Sequence, residues 1–231
     1  MRGLLLKELM NLKTSFFLVL IYVVIIVLLV IPSGIAESGD VGTTDPITPM
    51  QEGLMAFGVA APSLFIASFY PNTILNSSYQ IDEKSNWTPF IISVGVRKST
   101  IISSKAVLSL ILDVVFIGIF IIALFAFGDV PFTISSFIFY LGISLGSAFF
   151  SQALTILICS LWGSNKATVL SIFLSFLTTT LPLVVALIPF FVEPLFSLLW
   201  LFGLIDLLVF GIILAGLVLF ITYHFYKKRD F

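Results

Sequence analysis

Residues 16–31 read FFLVLIYVVIIVLLVI, sixteen consecutive positions with nothing more polar than Tyr22. A helix crossing the hydrocarbon core of a bilayer needs about 20 mostly apolar residues at ~1.5 Å each. This run, extended to Ile35, is the first of six such stretches. The others run from about Gly53 to Leu75, Ala106 to Phe127, Phe137 to Trp162, Ala167 to Phe191 and Leu199 to Tyr223. The composition agrees. Hydrophobic residues make up 59% of the 231 positions and charged residues 10%, against roughly 45–50% and about 25% in soluble domains. A bilayer solvates that much apolar surface; one soluble core cannot hide it. The expectation is an all-α integral membrane protein, one transmembrane domain over 1–231.

Small residues around Gly34 and Ala36 could follow a cleaved signal peptide. However, a signal h-region spans only ~7–15 residues behind a short basic stretch. Here the run is longer and sits behind a segment containing Glu8, so a retained helix is expected.

Charge sets the orientation. Arg2, Lys7 and Lys13 precede the first span, and Lys84, Arg97, Lys98 and Lys105 separate the second from the third. Lys166 lies after the fourth, and Lys227, Lys228 and Arg229 follow the sixth. All 11 basic residues thus fall on one side. The opposite loops carry Glu37, Asp40, Asp45, Glu52, Asp129 and Glu193 and no base. Short basic loops stay cytoplasmic, so both termini are expected in the cytoplasm, and an odd number of spans would break the partition. Pro182, Pro189 and Pro194 interrupt the apolar region between the fifth and sixth spans. Either the fifth ends near Phe191, or residues 182–198 re-enter the outer leaflet as a segment that is helical or packed on protein.

Two segments are not spans. In residues 1–15, Leu5, Leu9, Leu12 and Phe16 form an apolar stripe opposite Lys7, Glu8, Asn11 and Ser15. This pattern fits either an amphipathic helix on the membrane surface or a charged leader that only sets topology. Residues 76–105 form the one long cytoplasmic loop. Within it Thr88-Pro89 reads as a helix start, Gly95 as a stop, and Trp87, Phe90, Ile91 and Val94 as an apolar face. Asp82, Glu83 and Lys84 stand before that helix, with Arg97 and Lys98 behind it. Such a helix lies on lipid or fits a groove on a partner.

The run Asp82-Glu83-Lys84-Ser85, Trp87, Phe90 to Ser93, Arg97 and Lys105 resembles the loop between the second and third spans of type-2 ABC exporter permeases. More narrowly it is similar to the short six-span bacterial permeases that export phenol-soluble modulins and related amphipathic peptides. The opening Arg2 to Leu9 is similar to that group's N-terminal segment. The likeness covers the whole topology, but specific residues in only about 45 positions. Where members often carry Ser-Leu-Pro, this chain has Ser93-Val94-Gly95. The resemblance implies that residues 1–15 form an elbow helix and that the loop helix is a coupling helix docking on a separate ATPase. It implies two ATPase subunits, a second permease copy or homologue, and a bacterial inner (plasma) membrane. Glu8, Asp82, Glu83, Lys84, Trp87, Phe90, Ile91, Arg97 and Lys98 would then meet the ATPase, the aromatics and Ile91 as buried anchors and the charges for orientation. The cargo it implies is an amphipathic or hydrophobic peptide.

Chemistry within the chain is poorly provided for. The sequence contains no G-x-x-x-x-G-K-[ST] and no H-E-x-x-H. It has one cysteine, Cys159, and one histidine, His224, so neither a metal site nor nucleic-acid binding is expected. ATP and magnesium would be bound by the partner subunit. Ionisable residues inside spans are costly and raise functional hypotheses. Here they are Asp113 and Asp206, with Gln152 as the main polar neighbour, lining a transport path or making polar helix contacts. Gly142, Gly146 and Ala153 suggest close helix approach. Two rivals to the exporter stand: an ATP-independent protein that sequesters a membrane-active peptide, and an ion-coupled carrier using Asp113 and Asp206.

Overall fold

The computed structural model describes residues 70–127, 133–164 and 198–228, with positions 3–4, 6–7, 21–22, 24–25, 169–170, 173 and 176–177. Most of the expected first, second and fifth spans, Glu8 and nearly all of residues 182–198 lie outside the described residues. Among the described residues the fold is helical. Helix α1 covers 70–84, α2 is Trp87–Ser93, α3 Lys98–Phe127 and α4 Ile134–Trp162. The last span is built from α5 Leu199–Asp206, a π-helical segment Leu207–Leu214 and α6 Ala215–Lys228. Among the described residues, three helices are long and apolar enough to cross a membrane: Lys98–Ala126, Ile134–Trp162 and Trp200–Lys228.

These boundaries correct the expectation of a loop over 76–105. Helix α1 continues to residue 84 and α3 already begins at Lys98, so only residues 85–97 turn the chain. Hydropathy falls at the membrane surface, but helical hydrogen bonding continues past it, and Glu and Lys are good helix formers. Helix α4 starts at Ile134 because Thr133 and Ser136 cap it reciprocally. The Thr133 hydroxyl accepts from the Ser136 amide at 3.0 Å, and the Ser136 hydroxyl accepts from the Thr133 amide at 3.0 Å.

Helix α4 is the hub, packing on α3, α5, the π segment and α6. Its partners define direction. Phe125 meets Phe137 and Tyr140, and Asp113 meets Gln152, so α3 runs antiparallel to α4. Gly142 meets Gly203 and Phe150 meets Phe210, so the last span runs parallel to it. A polar seam makes α1 parallel to α4 as well. Asn72 Nδ2 donates to Ser151 Oγ at 2.6 Å, and the Thr155 hydroxyl donates to Asn72 Oδ1 at 3.1 Å. Cys159 Sγ donates to Asn76 Oδ1 at 3.5 Å, and the hydroxyls of Tyr79 and Ser160 lie 3.4 Å apart. The end of α1, the start of α3 and the ends of α4 and α6 therefore share one side. Lys84, Arg97, Lys98, Lys105, Lys227 and Lys228 belong to that side, as the charge pattern requires.

The π segment has a packing reason. Gly146 of α4 lies against both Asp206 and Gly211: a Cβ added at Gly146 would meet the Asp206 carbonyl oxygen at 2.9 Å, and one at Gly211 would meet Gly146 Cα at 3.2 Å. Residues five apart point ~140° away from each other in an α-helix. Winding with i→i+5 bonds brings them onto one face.

Candidate functional site

The chain reverses between α1 and α3 through a turn fixed by its own backbone. The Ser85 amide donates to the Ile81 carbonyl at 3.0 Å and the Asn86 amide to the Glu83 carbonyl at 3.2 Å. Asn86 then takes a left-handed conformation, φ 48°, which Asn tolerates better than most residues. It is the residue before α2. The expected Thr88 cap is thus two residues late: Pro89 is the third helical residue, still among the first four whose amides have no intrahelical partner.

At the other end Gly95 has φ 92°. Its amide donates to the Ile92 carbonyl at 3.0 Å and the Val96 amide to the Ile91 carbonyl at 3.1 Å, the paired bonds of a Schellman stop. A Cβ would meet nothing within 4 Å, so only the backbone conformation opposes substitution. Gly95→Ala should cost on the order of 1 kcal/mol, read as a small fall in melting temperature without change of oligomeric state. No loss of stability would mean that the turn relaxes to negative φ.

The apolar residues of α2 divide between two directions. Phe90 is 58% exposed and Val94 68%, with exposed Pro89 beside Phe90, whereas Ile91 is 5% exposed and belongs to the chain's own interior. Trp87 is half-buried, its ring 5.7 Å from that of Phe90, and the Lys7 ammonium lies 4.9 Å from its centroid. Of the expected anchors Trp87, Phe90 and Ile91, only Phe90 and the edge of Trp87 lie on the outward face, together with Val94.

Both acidic residues before α2 bind partners within the chain, Asp82 buried and Glu83 exposed. Asp82, 3% exposed, takes Lys105 Nζ at 2.8 Å on Oδ2 and Lys7 Nζ on Oδ1. Lys105, 1% exposed, also donates to Ser78 Oγ and lies 4.9 Å from the centre of the Tyr79 ring. Glu83 accepts from the Ser164 amide at 2.8 Å and its hydroxyl at 2.5 Å, just past the end of α4. Asp82 and Glu83 thus tie the root of α2 to residue 7, to α3 and to the turn after α4. Lys84 and Arg97 remain exposed and Lys98 is half-buried. A cleft of about 230 Å³ opens behind α2, with Asp82, Glu83, Asn86, Lys105, Ser160 and Tyr226 among its walls.

Deeper in the spans, Asp113 and Gln152 meet directly across α3 and α4, while Asp206 lies apart from them on Gly146. Gly146 and Gln152 are six residues apart on α4, so the two aspartates contact it ~9 Å apart along its axis and ~120° apart around it. The structure does not assemble one site from them. The seam residues Asn72 and Asn76 were not singled out by the sequence reading. Their signal is the 4-3-4 spacing of Asn72, Asn76, Tyr79 and Glu83, which puts the four on one helical face.

An apolar-faced turn tied down by ion pairs thus stands at one end of a helical bundle. Residues 46–227 match the family described as ABC-2 family transporter protein. The chain belongs to that family. It is therefore the multi-pass membrane permease of an ABC transporter, a class that works with a cytoplasmic ATPase. The family match spans α1 to α6, including the whole turn. No curated protein and no solved structure matches the chain.

Proposed function

We propose that this ABC-2 permease is the membrane subunit of an ATP-driven exporter, crossing a bacterial inner membrane six times with both termini in the cytoplasm. Two copies, or one copy and a homologue, form the path at their interface. Two ATPase subunits, which carry the ATP and magnesium, dock on the outward face of α2. One observation carries this reading: a seven-residue helix turns Phe90 and Val94 outward while its root is fixed to three other segments through Asp82 and Glu83. An exposed aromatic beside a half-buried one suits the centre of a protein interface. A push on α2 would reach α3 and α4 as a rigid-body movement, since ion pairs and hydrogen bonds leave little slack at the joint. Exposed Lys84 and Arg97 flank the face and set its orientation. The cargo we propose, an amphipathic or hydrophobic peptide, rests on the resemblance of residues 2–9 and 82–105 to peptide-exporting permeases.

The test is co-purification from gently solubilised native membranes. Wild-type protein should carry an ATPase, and Trp87→Ala/Phe90→Ala should lose at least about 90% of it, since truncating central aromatics costs ~2 kcal/mol or more. The double variant should elute as the wild type does on size exclusion. Retention of the ATPase by a folded double variant would remove α2 as the docking element. Absence of an ATPase from wild type would remove the exporter reading.

A further inference from the structure

In the α3–α4 interface two buried acceptor atoms have no donor. Gln152 Nε2 donates to Asp113 Oδ1 at 2.5 Å, but Asp113 Oδ2 and Gln152 Oε1 have no hydrogen-bond partner. The two residues are 0% and 1% exposed. Each orphan atom is costly, and an ionised carboxylate without a counter-charge at this depth is costlier still. Among the described residues no cation pairs with Asp113. Lys105 lies eight residues earlier on α3, ~12 Å along the axis, and is engaged by Asp82. One turn beyond, the Tyr22 hydroxyl donates to the Phe116 carbonyl at 3.0 Å. Asp206 meets α4 on another face.

The geometry points to a proton site: Asp113 and Gln152 bind one proton between them, with Asp113 as the neutral acid donating to Gln152 Oε1. The count of atoms favours this occupant. One hydrogen on Oδ2 turns that orphan acceptor into a donor and supplies Oε1 with its missing partner, so a single proton satisfies both. The acid and the amide are then joined by two hydrogen bonds, N–H to carbonyl and O–H to carbonyl. Hard divalent cations take six or more oxygens, whereas this pair has two to give. A water molecule donating to both oxygens would leave the carboxylate charge in place. The pair is a neutral clamp between α3 and α4, and Asp113 is not a charge that an ion gradient must neutralise in each cycle.

The experiment uses the full chain in lipid nanodiscs, with infrared difference spectra between wild type and Asp113→Asn at neutral pH. The asparagine amide can accept from Nε2 and donate to Oε1, reproducing the neutral pair. The expected result is a protonated-carboxyl band in wild type, shifted in D2O and absent from Asp113→Asn. That variant should melt within about 2 °C of wild type, while Asp113→Leu, which strands both ends of Gln152, should melt about 5 °C or more lower. No carboxyl band lost from a folded Asp113→Asn variant, or equal melting of the Asn and Leu variants, overturns the proposal. Should Asp113→Asn fail to fold, Gln152→Leu reads the same bond. Loss of the acceptor should move the wild-type band to higher frequency, and an unmoved spectrum overturns the proposal.

Discussion

Asp82→Leu should lower the stability of the protein by about 3–5 kcal/mol, and adding Lys105→Met should recover most of that loss. The asymmetry comes from where each charge can go. Lys7 has 21% of its side-chain surface exposed and can turn to water when Asp82 is removed. Lys105 has 1% and cannot. It would keep the Ser78 hydroxyl and the Tyr79 ring but lose its counter-charge, and an unpaired buried ammonium accounts for the bulk of the penalty. Removing both charges leaves an apolar pair of similar volume, which elsewhere is near neutral. For a chain of this size the single variant should melt on the order of 10 °C lower, measured by size-exclusion analysis of heated detergent samples. The double variant should nonetheless transport poorly, because the bond between the root of α2 and α3 is gone. A single variant within about 1 kcal/mol of wild type would mean that the pair is solvated and is not the joint described above.

That joint also marks how far the sequence can be read. Apolar length located the third, fourth and sixth spans, because transfer to lipid depends on composition and composition is local. Charge partition set the common side of the helix ends for the same reason: it needs only the order of residues along the chain. Asp82 and Glu83 were read as orienting charges facing a partner, since a charge is solvated unless something pairs it. Their partners, Lys105 and Ser164, lie 23 and 81 positions away, and nothing local announces them. The split of the α2 face was equally hidden. Trp87, Phe90, Ile91 and Val94 share a helical stripe, but only tertiary packing decides that Ile91 turns inward while Phe90 and Val94 do not. The cap was misplaced for a backbone reason: Thr88-Pro89 is a good start signal, yet a left-handed Asn86 begins the helix earlier. Asp113 and Asp206 were singled out as costly residues with Gln152 as their polar neighbour, but that Gln152 holds Asp113 and not Asp206 could not be read from the order of residues along the chain.

Gly203→Val should separate the last span from α4 and cost at least the ~1–3 kcal/mol typical of overpacking, while Gly216→Val on the same span should cost no more than a few tenths. At Gly203 an added Cβ would lie 2.7 Å from Phe139 Cα and 2.8 Å from the Ile138 carbonyl oxygen, while one at Gly142 would overlap the Gly203 backbone. All of these neighbours are main-chain atoms of packed helices, so no side chain can swing aside. At Gly216 nothing lies within 4 Å. The consequence is larger than one clash because little of the last span is buried. Its most apolar window is only 11% buried, against 67% for α4, and in a bilayer the lipid tails are as apolar as the side chains that meet them. Close backbone contact at the Gly142–Gly203 and Gly146–Gly211 approaches is therefore a large part of the attraction between the two helices, beside the Phe150–Phe210 pair at 5.8 Å and the buried cluster of Ala153, Ala215 and Val218. Holding the helices even ~1 Å further apart forfeits a quarter or more of each dispersion contact along the seam. The readout is the melting temperature in detergent together with protease sensitivity of the chain between α4 and the last span. If Gly203→Val melts with Gly216→Val, the crossing is looser than its main-chain distances require, and the π winding that brings Asp206 and Gly211 onto Gly146 loses its packing explanation.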